Sequence, residues 1–331
     1  MSMHAALSFP SSRLESLPVE ILQLIFLHSL EINLPRASFH LSRALSSPIF
    51  YTWLIRLVFS SPNAGSRDGF FTPDFLPPPL NYWSITAEQR QSLQTALLEC
   101  RWLTLPLIRR CQREYIRHAI RTNCTHLVFE PDHQYELANL DPYFEDLSVC
   151  EHGRQGKGDL ILRAYQPDGS RYKVGIWFHL GKVQIRPARE VYIDDNVFRL
   201  PCSDPLKPGR VPYKLLREPW TDEKLEFLQL LSAEFYLPEG RCERIIARII
   251  RKRQIEPFCR LLSMSFRTID CRVPERWPLQ DSVFTLVQKY GSGYGSGDPF
   301  AMFLLEARWN DIPLLAKEAL IQYALPASTT K

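Results

Sequence analysis

No Cys-x-x-Cys pair occurs in this chain, and its eight cysteines, at positions 100, 111, 124, 150, 202, 242, 259 and 271, stand at least eleven residues apart. That spacing excludes the zinc-knuckle pattern and suggests no secreted disulfide frame. There is no uninterrupted apolar run of about eighteen residues, so no membrane-spanning helix is predicted. The opening MSMHAALSFPSSR has no basic flank followed by a long apolar stretch, so it does not read as a signal peptide. A reducing cytoplasmic or nuclear setting is the expectation, and the Asn123-Cys124-Thr125 sequon is then a chance match.

Catalytic patterns are missing too. There is no Gly-x-Ser-x-Gly elbow, and no cysteine stands in a recognisable nucleophile setting. The glycines of GSGYGSG, residues 291–297, do not give Gly-x-Gly-x-x-Gly, and no Gly-Lys-Ser/Thr follows. His126, Asp132, His133 and Glu136 lack a His-x-x-x-His pair and lie in an acidic stretch. The sequence therefore calls for no cofactor and no metal, and an unrecognised enzyme is the weakest of three functional readings.

What is present is an ordinary globular composition, 45% hydrophobic and 23% charged over 331 residues, enough for two or three compact units. Its 26 prolines punctuate short helices. Ser16 can cap a helix, Pro18 suits its first turn and Glu20 its acidic-favoured start, which predicts a helix beginning near Leu17 and running to Leu30. Its polar residues, Glu20, Gln23, His28 and Ser29, point in well-separated directions, so no clean solvent face is expected and cover must come from more than one side. Two further apolar segments follow, Ala37 to Ser46 and Ile49 to Phe59, with breaks at Asn33 to Pro35 and Ser46 to Pro48. A three-helix unit of this size has barely enough core of its own and gains from a partner.

Leu17, Pro18, Glu20, Ile21, Leu22, Ile25 and Phe26 match the Leu-Pro-x-Glu-Ile/Leu and Ile-Phe pattern of the F-box family, which this region resembles. Where many F-boxes carry Val-Cys-x-x-Trp, this chain has Leu41-Ser42-Arg43-Ala44-Leu45, and Trp53 stands near the family's later Leu-Trp position. The spelling is closer to a divergent fungal F-box-like group, in which Leu-Pro-x-Ala-Ser and Leu-Ser-x-x-Leu-Ser are usual. The resemblance implies docking on the small Skp-type adaptor of an SCF ubiquitin ligase, with its cullin, and presentation of a protein client for ubiquitin-dependent degradation. Leu17, Pro18, Ile21, Leu22, Ile25 and Phe26 would carry that docking. Leu41, Leu45 and Trp53 would either extend the surface or close the small core behind it.

The expected layout is a disordered N-terminus at 1–12, the F-box-like unit at 13–60 and a Pro- and aromatic-rich linker at 61–85 that packs on its own rings. Residues 86–150 read as helices broken at Pro106, with Arg109, Arg113, Arg117 and Arg121 on one face and an acidic loop after them. Internal pairing between these charges is expected in preference to a nucleic-acid face. Period-two alternation at 155–202 predicts a β-meander, with turns at Asp168-Gly169, Leu180-Gly181 and Asp194-Asp195-Asn196.

After a proline-rich crossing at 203–220, helical patterning returns at 221–326, with Leu225, Leu228, Leu231 and Phe235 as one apolar face. In the segment Arg241 to Arg253, isoleucines oppose six basic residues, read as a buried face and a solvated face, with a dedicated binding patch as the alternative. The phrase IEPFCRLLS resembles the second helix of an ankyrin repeat, which implies stacked helical hairpins. The fold class is therefore mainly α with a β-meander insertion (α+β). The leading functional reading is a non-catalytic client-recognition subunit, the second a helical-repeat interaction scaffold with no ligase role.

Overall fold

The computed structural model describes residues 12–61, 69–145, 159–179, 182–187, 196–199, 209–232, 235–237, 241–266, 275–291 and 297–325. It is mainly helical with a small antiparallel sheet. The chain divides into two compact units. Met1–Leu140, Leu160–Trp177 and Val183–Arg199 form the first, and Asp141–Asp159, Phe178–Lys182 and Leu200–Lys331 the second.

The first unit opens with α1 (Val19–Ser29), α2 (Phe39–Leu45) and α3 (Pro48–Phe59). Helix α1 starts later than the sequence predicts. The Leu17 N–H bonds the Leu14 carbonyl in a preceding turn, the Ser16 hydroxyl donates to Arg13 O, and Pro18 takes the cap position. Helix α2 is capped by Ser38, whose hydroxyl accepts the Leu41 N–H at 3.2 Å, and α3 has Pro48 in its first turn.

Helix α3 runs directly into β1 (Ser60–Ser61). Its final carbonyls would be left without intrahelical partners. They are met from α4 (Ala87–Glu99), where the Arg90 guanidinium donates to Leu57 O at 3.3 Å and the Gln94 amide to Val58 O at 2.7 Å. A Thr86/Gln89 capping box starts α4. Helix α5 (Leu105–Asn123) holds Pro106 in its first turn, so the break expected at Pro106 falls earlier, over residues 100–104.

The chain then forms β2 (Val128–Phe129) and α6 (Pro131–Ala138), followed by β3 (Leu160–Tyr165), β4 (Arg171–His179), β5 (Lys182–Pro187) and β6 (Asn196–Arg199). The sheet order is β1-β6-β5-β4-β3-β2. Leu160 pairs with Ile176, Val128 with Tyr165 and Ser60 with Phe198. Leu160, Leu162, Ala164, Val174, Ile176, Val183 and Ile185 are all buried, as the period-two pattern predicts. At the Asp168-Gly169 turn Gly169 has φ +80°, a left-handed angle that favours glycine. Leu180-Gly181, Val191, Ile193 and Asp194-Asp195 lie outside the described residues.

In the second unit α7 (Pro142–Glu145) places Tyr143 and Phe144 on Phe178, with ring centroids 5.2 and 5.1 Å apart. Strand β7 (Gly209–Arg210) pairs in parallel with β8 (Phe235–Tyr236), and α8 (Asp222–Leu231) lies between them in sequence, capped by Thr221. Phe235 thus belongs to a strand and not to the apolar face of α8. The helix closes three residues earlier, where the Ser232 N–H turns back to Leu228 O and Gln229 O.

Helices α9 (Cys242–Arg251) and α10 (Ile255–Ser263) are followed by the β9 (Ser265–Phe266) and β10 (Glu275–Arg276) ribbon. Helices α11 (Asp281–Tyr290), α12 (Pro299–Ala307) and α13 (Leu314–Ala324) complete the unit. Helix α9 packs on α10 and α11, α10 on α12, and α12 on α13. Phe258 sits in the core with Phe300 and Phe303 around it, at 4.9 and 5.9 Å.

Two buried charges tie the second unit together. Asp298 caps α12 by accepting the Phe300 and Ala301 N–H groups and pairs with Arg253 at 2.7 Å. Arg308 donates to Leu262 O at 3.1 Å and Trp277 O at 2.8 Å, and pairs with Asp311.

Candidate docking surface

In α1, residues 22, 26 and 27 point inward and are buried, and the helix packs against α2 with the Gln23 amide donating to Ala44 O at 3.2 Å. Of the residues singled out for docking, Leu22, Phe26, Leu41 and Leu45 all fall in this core, with Leu22 at 0% exposure. Leu22 and Phe26 are therefore buried instead of offered to a partner, while Leu41 and Leu45 take the second of the roles open to them and close the small core. Ile21 is 42% exposed and Pro18 is exposed, whereas Leu17, Ile25 and Trp53 are half-buried. The Trp53 ring leans on Phe50 at 5.4 Å.

Within the described residues α1 is therefore covered only in part. Ile21, Leu24 and His28 follow one another at helical i+3 and i+4 spacing and form an outward stripe. Four apolar residues of α1–α3 that were not singled out for docking are also exposed: Val19, Leu24, Ile49 and Phe39, the last at 84%. The signal for Phe39 was its place immediately after the Ser38 cap, at the first helical position, where a side chain has no preceding turn to lie on. Each of the three helices thus presents at least one large apolar side chain to solvent, a character shared with protein-binding surfaces.

The arginines of α5 do not form an open stripe. Arg109 is buried against Gln112, Arg117 donates to Ala138 O at 3.0 Å, and Arg121 pairs with Asp74. Glu114 of the same helix takes Arg56 at 3.0 Å and Arg110 at 3.1 Å. Asp74 and Glu114 are thus acidic partners outside the loop that follows α5.

Arg56, Asp74, Glu114, Arg117 and Arg121 line a small cavity of about 230 Å³. His118 lies in its wall, stacked on Phe75 with centroids 4.0 Å apart and edge-on to Phe70 at 5.0 Å. Its Nε2 faces Phe70 O and so carries the proton, which leaves Nδ1 to accept from Arg121 at 3.4 Å. Burial pushes this imidazole below its ordinary pKa. The Thr72 hydroxyl and the Arg121 guanidinium hold the Asp74 carboxyl down at about 2. The network fastens the aromatic-rich segment to α5, and its rings pack on one another, with Phe71 on Tyr82 at 4.3 Å.

Burial pushes the Cys111 thiol up to about 12 and those of Cys124 and Cys242 to about 11, so all three stay protonated near neutrality. Among the described residues no three His, Cys, Asp or Glu side chains are arranged to hold a metal ion. His133 instead bonds Glu136 at 2.8 Å within α6. No helix among the described residues is long and apolar enough to cross a membrane. No family model, no curated protein and no solved structure matches this chain.

Proposed function

We propose that this chain is a non-catalytic client-recognition subunit of an SCF-type ubiquitin ligase, in which α1–α3 dock on the Skp-type adaptor and the remainder holds a protein client. The observation that carries the reading is the exposure of Ile21, Leu24, Phe39 and Ile49 on α1–α3, the segment whose sequence resembles an F-box. Such a subunit works by proximity. Tethering a client beside a charged ubiquitin carrier raises the effective concentration of its lysines and asks for no reacting side chain in the tether.

A second reading, a helical-repeat scaffold with no ligase role, draws support from the burial of Leu22, Phe26, Leu41 and Leu45 inside the unit. Coprecipitation of the full chain with a recombinant Skp-type adaptor separates the two. The wild type should be retained, and an Ile21→Asp, Leu24→Asp double variant with an unchanged melting temperature should be lost. Failure of the folded wild type to bind would sink the ligase reading and leave the scaffold. Phe26 is avoided because its replacement would empty the core.

A further inference from the structure

The basic side of α9 is a strongly charged surface of the second unit that its described neighbours leave unneutralised. Arg244, Arg248 and Arg251 are exposed on successive turns, and among the described residues none has a hydrogen-bonding or ionic partner. On one flank they border a groove of about 520 Å³, walled by Arg217, Arg241 and Trp220 and floored by Leu216 and Ile245. On the other they border an open depression of about 720 Å³ shared with α11, where Lys289 adds a further cation.

Arg217 and Arg241 are held in place by Tyr213, with their Cζ atoms 3.7 and 4.1 Å from its ring centroid. Two guanidiniums at that distance cannot share one face, so both faces of the ring are occupied.

We propose that this surface is a docking groove for an acidic peptide segment of another protein, with carboxylates at alternate positions received by Arg244, Arg248 and Arg251. The guanidinium fork suits a carboxylate. Along α9 the three arginines are spaced by about 6 and about 4.5 Å, while side chains on one side of an extended peptide repeat at about 6.7 Å.

A phosphodiester strand fits less well. Tyr213, with Arg217 and Arg241 over its ring, has no free face on which a base could stack.

The inference goes beyond adaptor docking and does not rest on it, because it is read on the isolated full chain with no adaptor present. The probe is a fluorescein-labelled Glu-Ser repeat peptide followed by anisotropy, with the Gln-Ser peptide, a single-stranded oligonucleotide and inorganic phosphate as competitors. The Glu-Ser peptide should bind and weaken with salt, and the Gln-Ser peptide should compete poorly. An Arg244→Gln, Arg248→Gln double variant should lose about tenfold in affinity. Both side chains are exposed, and an unchanged melting temperature certifies the fold. If that variant melts early, Arg251→Gln and Lys289→Gln carry the same comparison. Absence of Glu-Ser binding, equal binding of the two peptides, unchanged affinity in the folded variants, or displacement by the oligonucleotide or phosphate at lower concentration than by the acidic peptide would each overturn the proposal.

Discussion

Ile21 and Leu22 are sequence neighbours of almost equal hydrophobicity, yet the fold assigns them opposite roles, and substituting each separately tests that assignment. Leu22 is fully buried, so Leu22→Ala removes buried methyl groups and leaves a cavity, at a cost of about 2–5 kcal/mol. In a unit of this size about 2–4 °C of melting temperature is lost per kcal/mol, so a fall of about 4–20 °C is expected. Ile21 is 42% exposed, and Ile21→Asp forfeits part of the roughly 1.5–3 kcal/mol that full burial of an isoleucine represents.

Position 21 is also the third residue of α1, where a carboxylate gains about 0.3–1 kcal/mol from the helix dipole. The two terms largely offset, leaving a net change of about 1 kcal/mol or less. Thermal unfolding followed by circular dichroism, with urea midpoints as a second readout, compares the pair directly. If Ile21→Asp lowers the midpoint as far as Leu22→Ala does, the outer side of α1 is not free, and the docking surface described above does not exist.

Gln94→Leu would strand the Val58 carbonyl at the end of α3 and should cost about 1–3 kcal/mol, seen as a lower urea midpoint at unchanged slope. Arg308→Met removes the donors to Leu262 O and Trp277 O and should cost about 3–5 kcal/mol, while Arg101→Met, at an exposed position, should leave the melting temperature almost unchanged. His118 has a depressed pKa in the fold, so the unfolded chain binds its proton first. Its contribution is complete above about pH 6.5 and drains away as pH falls through the folded value. Arg121, Arg56 and Asp74 face the ring, with Asp74 already charged throughout that window. His118→Gln should flatten the loss of urea midpoint between about pH 7.5 and about pH 5.5, and an equal slope in both proteins would refute the assignment.

Elements with a period were legible in the sequence. The alternation Leu160, Leu162, Ala164 gave β3 and its buried face, and the bounds of α11 and α12 follow from their patterning and from Pro299. The open face of α1 was not legible, because a helix apolar on nearly every side does not say which side is covered. That is decided by where α2 arrives, through contacts such as Gln23 to Ala44 O. The partner of Arg121 was equally hidden, since Asp74 lies 47 positions away in a segment without periodicity. The basic side of α9 was legible as a stripe. Its two flanking hollows depend on the 3-10 turn at Tyr213–Leu216 and on α11, which no local pattern in α9 records.

The sheet is flanked at both edges by strands of only two residues, β1, which continues directly from α3, and β2, which follows α5 after residues 124–127. A short edge strand offers little unpaired backbone to a neighbouring molecule. A fragment cut at residues 155–202 would lose both closing strands and expose the full edges of β3 and β6 to other copies. The sheet is therefore soluble only in the company of the helices, and self-association of that fragment, suppressed by restoring residues 48–61 and 105–129, is the behaviour this arrangement dictates.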